Sequence, residues 1–207
     1  MASDLTPSEI VALTGCSSPL VAHHLDVLEA AGIVRRFPSE ADGRKRFVIL
    51  EPGWRAVLAP APAPADVIFV CTHNSARSQM AAAMWRDRTG GRASSAGTAP
   101  ADRVHPSAVR VARRHGLDLS TAVPRRFNPE TARRATVITV CDRAHDELGR
   151  TSHDRLHWSI PDPSRTGDDD RFEAAFQMLQ ERIDGVSAAA NPFQFALHHH
   201  DNERNMR

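Results

Sequence analysis

Alternating alanine and proline from Ala59 to Ala65 constrain this chain more than any other stretch. Proline at every second residue excludes both helix and sheet ladder and favours an extended, semi-rigid spacer. The 207 residues therefore divide into an N-terminal piece, 1–58, a spacer, 59–65, a longer piece, 66–187, and a tail, 188–207, expected to be disordered. Each piece has the size of a small domain. A hydrophobic content of 41% is enough for buried cores, and no apolar run approaches a membrane span. The N-terminus lacks the charged-then-apolar layout of a secretory signal. A cytoplasmic protein with no membrane partner is the expectation.

The formal charge of +1 predicts no bulk attraction to nucleic acid, so any basic patch must be local. Three widely spaced cysteines, Cys16, Cys71 and Cys141, form no metal-type pattern and fit a reducing compartment with one reactive thiol. His145, His153, His157 and the run at 198–200 match no metal-site spacing, and no metal is expected.

The first piece reads helix, helix, hairpin. Thr6, Pro7 and Glu9 form a capping box with proline at the first helical position. Gly15 ends that helix. Ser17 or Ser18 caps the next, along which Leu20, His24, Leu25 and Leu28 recur at helical spacing. Two β-rich runs then flank the turn-rich "PSEADG". "LTGCSSPLVAHHLDVLEAAGIVRR" resembles the DNA-binding core of the ArsR family of repressors. The resemblance implies a winged helix-turn-helix, with a recognition helix at 18–31 and a wing at 33–50. On double-stranded DNA, Ser18, His23 and His24 would meet base edges or phosphates. Arg35, Arg36, Arg44, Lys45 and Arg46 would clamp phosphates. Against this, residues 1–65 hold six Lys/Arg and seven Asp/Glu, a net −1, so a helical cap that binds no DNA is the alternative. The family dimerises through additional helices; little precedes Thr6 to supply one, and a homodimer stays open. Cys16, in the turn between the helices, reads as structural.

The second piece begins "VIFVCTHNSARSQMAAAMW", a β-branched strand running into a cysteine loop and then a helix. A loop entering a helix N-terminus turns several backbone N–H groups toward one spot beside the positive end of the dipole. Thr72, His73, Asn74, Ser75 and Ala76 would form such a nest for a tetrahedral oxyanion, with Arg77 adding a bidentate fork. Cys71 lies beneath the ring, where the same field favours thiolate over thiol. Ser78 can donate to that thiolate, and Asn74 braces the loop.

Downstream, "SAGT" (95–98), "VHPSAVRVARRHGLDLS" (104–120), "VITVCD" (137–142) and "HWSIPDPSRTG" (157–167) follow in order. Together with the loop they resemble the low-molecular-weight protein tyrosine phosphatase superfamily, its arsenate reductase branch most of all. The phosphatase loop usually carries glycine at the position of His73. The resemblance implies an α/β domain: a four-stranded parallel sheet with helices on both faces, strands near 67–70, 92–96, 136–140 and 155–159. It also implies that the first and third strands are neighbours, bringing Cys141 near Cys71, and that Asp162 is the acid–base residue.

Three functions fit this cradle. A reductase would attack arsenate with Cys71 and let a second thiol expel arsenite. A sensor would bind arsenate or phosphate without turnover and shift the attached winged helix. A tyrosine phosphatase would attack phosphorus with Cys71 and use Asp162 as acid and then base. The chain has no tyrosine, and "DPSRTG" offers no aromatic after Asp-Pro to grip a phosphotyrosine ring, leaving Trp85, Phe127 or Trp158 as substitutes. Cys141 matches the reductase's second cysteine, but Leu148 stands where the thioredoxin-linked reductases carry a third. No bound cofactor is expected. The reductant is instead an external small thiol, or a thioredoxin- or glutaredoxin-like protein. The expectation is a fused arsenic-resistance protein.

Overall fold

The computed structural model describes residues 2–58, 64–149, 155–165 and 168–190. His153, the histidines at 198–200, most of the alanine–proline spacer and residues 166–167 lie outside the described residues.

The first unit is α1 (Pro7–Thr14), α2 (Ser18–Ala30), an antiparallel hairpin of β1 (Val34–Pro38) and β2 (Arg46–Leu50), and α3 (Pro52–Leu58). The capping box forms as expected: the Thr6 hydroxyl accepts from the Glu9 N–H while Glu9 accepts from the Thr6 N–H at 2.7 Å. Gly15, at φ 68°, takes the left-handed conformation that stops α1. Ser17 is the N-cap of α2, with no side-chain capping bond.

The apolar stripe of α2 differs from the one expected. Val21 and Leu25 are buried, with Leu28 half-buried beside them, whereas Leu20 is 44% exposed and His24 faces solvent. The hairpin decides this, because Val34 and Val48 complete a small core that Val21 and Leu25 reach from the helix. Cys16 is exposed in the turn, so it does not pack a core. Helix α3 was not foreseen; it continues the unit beyond the wing and packs on α8.

The second unit runs β3 (Asp66–Cys71), α4 (Arg77–Thr89), β4 (Arg92–Gly97), α5 (Pro106–Arg114), α6 (Pro129–Ala132), β5 (Thr136–Thr139), α7 (Asp142–Leu148), β6 (Arg155–His157) and α8 (Asp169–Ala190). Its sheet is parallel throughout, in the order β4-β3-β5-β6. The runs expected as strands are therefore strands, and β3 and β5 are neighbours. Strand β3 is buried on both faces, which is why it reads as a continuous apolar run rather than an alternating one. Phe69 lies between Trp85 and Trp158, with ring centroids 5.8 and 5.7 Å away. Phe172, Phe176, Leu179 and Ile183 are buried along α8. That helix continues through Ala190, three residues into the stretch read as tail. Among the described residues no helix is long and apolar enough to cross a membrane.

The N-terminal segment joins the two units. Leu5 bridges to Val48 of the hairpin, and the Asp4 N–H donates to the His157 carbonyl of β6 at 2.7 Å. Asp4 is buried against Arg182 of α8 in a two-point ion pair, at 2.6 and 2.7 Å. Its carboxylate also accepts the Ser159 N–H at 2.8 Å.

Candidate active site

Cys71 is the last residue of β3, and Arg77 is the first of α4. Backbone carbonyls along this loop are engaged by the segment that follows β4. The carbonyls of Cys71, Thr72, His73 and Ser75 accept, in order, the N–H groups of Thr98, Ala99, Ala101 and His105. With those acceptors spent on the 98–105 segment, the loop can present its N–H side to the cradle. The Asn74 N–H lies 3.2 Å from the Cys71 sulfur.

Asn74 takes φ 48°, the left-handed region a side chain rarely adopts, and its own side chain holds it there. Its Nδ2 donates to the Ser78 hydroxyl at 2.8 Å, and its Oδ1 accepts from the Arg125 N–H at 2.8 Å. Gln79 closes the brace on the Asn74 carbonyl at 3.1 Å. The Ser78 hydroxyl stands 3.0 Å from the Cys71 sulfur; since Ser78 accepts from Asn74, its proton is free for the sulfur.

Gly97, at the end of β4, is the residue that lets the loop sit so close. A Cβ there would lie 2.6 Å from the Thr72 carbonyl oxygen and 3.0 Å from the backbone nitrogen of Asn74. Glycine is required for space, since its backbone is not left-handed.

Cys141 follows β5 and is fully buried. Its sulfur is 3.4 Å from the Thr72 hydroxyl and 3.4 Å from the Ala144 N–H, so it caps α7 while touching the cradle loop. Burial pushes its pKa up to about 11; Arg77 opposes the rise and Cys71 adds to it.

Arg77 is buried and surrounded by anions. It donates to Glu40 at 2.5 Å and to the Ile160 carbonyl at 2.8 Å, and approaches Asp162 at 3.5 Å. Burial alone would lower the guanidinium's pKa, but Cys141, Glu40, Cys71 and Asp162 outweigh it and raise it. Asp162 accepts from the Ser164 N–H and hydroxyl at 3.0 and 2.8 Å. Burial works to raise the Asp162 carboxyl, yet Arg77 and Ser164 hold it below the usual range. A cavity of about 190 Å³ opens here, lined by Thr72, exposed His73, Arg77, Arg143, Asp162 and Arg165.

The structure thus gathers the residues expected in the cradle, Cys71 through Ser78, together with Cys141 and Asp162. It also adds three that sequence reasoning missed. Arg165 was within reach, since it stands in the quoted "DPSRTG". Arg143 and Glu40 carried no local signal; Glu40 sits at the tip of the hairpin, 37 positions from Arg77. Trp85 and Trp158 are core residues, 0% and 1% exposed, and line no mouth.

Of the residues expected to meet DNA, Ser18, His23 and His24 are exposed on α2. The wing cations are arranged otherwise than expected. Lys45 reaches both oxygens of Asp146 on α7 at 2.9 Å, because the hairpin tip lies on the second unit instead of projecting from it. Arg44 pairs with Asp42, Arg36 with Glu29 and Asp26, and Arg35 with Glu51; Arg46 is exposed.

Residues 66–191 match the family model for the low molecular weight phosphotyrosine protein phosphatases. The chain belongs to that family. Residues 1–36 match the model for the bacterial regulatory proteins of the arsR family. An arsenate reductase of Halalkalibacterium halodurans is 32% identical over 123 residues, covering 56% of this chain and 88% of the relative. A solved arsenate reductase in its phosphate-binding state is 26% identical with a TM-score of 0.53, over 61% of this chain and 98% of the other. A tyrosine phosphatase of Erwinia amylovora shares the fold, with a TM-score of 0.56 at 19% identity over 62% and 95% of the two chains.

Proposed function

We propose that this chain is an arsenate reductase whose oxyanion site is joined to a DNA-binding winged helix. The observation that carries the reading is the second thiol: Cys141 lies under the same loop that holds Cys71, in contact with Thr72. A phosphatase of this cradle needs one sulfur, and a reductase needs two.

In the proposed reaction arsenate binds between the loop N–H groups and Arg77, and the Cys71 thiolate attacks arsenic(V). An arsenate oxygen leaves as water, giving a Cys71–arsenic bond. A second thiolate then attacks the Cys71 sulfur. The sulfur–arsenic pair stays with arsenic, which leaves as arsenite, while the two sulfurs are oxidised to a disulfide. Cys141 is the internal candidate. Its high pKa keeps it a thiol in the resting site; once the Cys71 charge is consumed in the arsenic bond, one of the causes of that rise is removed. Leu148 occupies the place of a third cysteine, so an external small thiol or redoxin must either open the Cys71–Cys141 disulfide or attack Cys71 directly.

The same geometry weighs against an aryl phosphate substrate. The cavity is lined by arginines and carboxylates, and both candidate tryptophans are core. A regulator that senses an oxyanion without turnover remains the second reading, favoured by the contact of Glu40 from the wing with Arg77.

Single-turnover arsenite release from reduced protein, with and without added thiol or redoxin, tests the reading. Thiol-dependent arsenite that disappears in Cys71→Ala supports the reductase. Tight arsenate binding with no arsenite under any reductant supports the sensor.

A further inference from the structure

The hairpin tip brings one carboxylate into a site built for anions. Glu40 Oε1 takes the donor Nη1 of Arg77, and its Oε2 is buried with no hydrogen-bond partner among the described residues. A buried carboxylate with one satisfied oxygen is a poor structural element, because the unsatisfied one keeps its desolvation cost. It is an adequate stand-in for an absent anion. The tip is also held by contacts away from the anion. The Glu40 N–H donates to Asp142 at 2.8 Å, Lys45 pairs with Asp146, and the Phe47 ring lies 4.6 Å from that of His157.

We propose that the wing tip is an internal competitor for the oxyanion site, with Glu40 holding Arg77 until arsenate or phosphate displaces it and undocks the wing. The inference rests on the reading of the Cys71 loop as an oxyanion site, and it deepens that reading by giving the site an occupant and an output. A tetrahedral dianion on Arg77 and a buried carboxylate on the same guanidinium repel one another across a few ångströms with little water between. Binding of one therefore lowers the affinity for the other, and linkage makes the two penalties equal. Burial already raises the Glu40 carboxyl above its usual range despite Arg77, with repulsion from Asp142 and Asp162 adding to it. That is the condition of an anion easily exchanged. Undocking breaks the Lys45–Asp146 pair and frees the already exposed Lys45 beside Arg44 and Arg46, the cations a wing would offer to DNA phosphates.

The test is made on the full chain with inorganic phosphate, whose binding requires no turnover. Calorimetry should give a phosphate dissociation constant about tenfold lower in Glu40→Gln than in wild type. Asp146→Asn, which loosens the tip without touching the cradle, should lower it about two- to fivefold, the range expected of an exposed ion pair. Trypsin reports the wing directly, since Arg44, Lys45 and Arg46 are its cleavage sites. Saturating phosphate should speed cleavage there severalfold in wild type, and in Glu40→Gln cleavage should be fast with or without phosphate. Equal phosphate affinity in wild type and Glu40→Gln, or cleavage at 44–46 that phosphate leaves unchanged, overturns the proposal and leaves the oxyanion site standing. Phosphate that binds neither protein overturns the site and the proposal together.

Discussion

Replacing Gly97 by alanine tests whether the cradle depends on the close approach of β4. The added methyl would meet the Thr72 carbonyl oxygen at 2.6 Å, about 0.8 Å inside ordinary contact, with the Asn74 nitrogen and Cβ both at 3.0 Å. None of these is the end of a flexible side chain, so the loop or the strand must move. Neither moves freely: Gly97 donates to the Arg125 carbonyl at 2.8 Å and accepts from the Phe127 N–H at 2.8 Å, while Asn74 is braced by Ser78, Gln79 and Arg125. Overpacking of this kind costs about 1–3 kcal/mol. The reduced freedom of the unfolded chain returns about 0.4–1 kcal/mol. A net loss of about 1–2 kcal/mol lowers the melting temperature of a chain this size by roughly 2–8 °C. Function should suffer far more, since a displacement approaching 1 Å at a reacting group costs roughly 100-fold. Calorimetric phosphate binding, a thermal melt and single-turnover arsenite release together give the comparison. A variant that melts within 1 °C of wild type and binds phosphate equally well would refute the argument that the loop position is set by Gly97.

Other perturbations separate the remaining claims. Asp4→Ala leaves Arg182 buried without its partner and should cost about 3–5 kcal/mol, read as a lowered melting temperature. Asn74→Ala removes the side-chain bonds that hold a left-handed residue, so phosphate affinity and arsenite release should both fall by at least tenfold, with a smaller loss of stability. Burial would raise the Glu9 carboxyl, but hydrogen bonds from His145 and Thr6 outweigh it and pull its pKa down to about 2 from 4.5. A depressed carboxyl contributes stability that is complete above its unfolded value and lost as pH falls through its folded one. Acid should therefore loosen the contact of α1 with α7 between about pH 4.5 and 2, and a Glu9→Gln variant should lack that part of the acid transition. If the winged helix binds DNA, the logarithm of affinity should fall linearly with that of salt, and Arg44, Lys45 and Arg46 changed together to alanine should flatten the slope. An unchanged slope would remove the wing from the interface.

What the chain revealed of itself followed the range of each signal. Capping at Thr6, the stop at Gly15 and the strand into Cys71 are written in neighbouring residues, and all are legible. The pairing of β3 with β5 has no local signal and is legible only through the family pattern. The stripe of α2 was misread by one position because Val21 and Leu20 are equally apolar, and only the hairpin packed beneath decides between them. Glu40 was invisible for a stronger reason: a glutamate in "PSEADG" is an ordinary turn residue, and its role exists only once the tip lies on Arg77. The same holds for Lys45, which reads as a phosphate clamp by composition and is held by Asp146 through geometry.

The Asp4–Arg182 pair joins positions separated by 178 residues. A ribosome working at about 5–20 residues per second takes roughly 10–40 s to span that interval. The small core of Val21, Leu25, Val34 and Val48 can close during this time, but its anchor on the second unit has not yet been made. Newborn copies therefore pass through an interval in which a finished head waits for its body, with Asp4 unpaired.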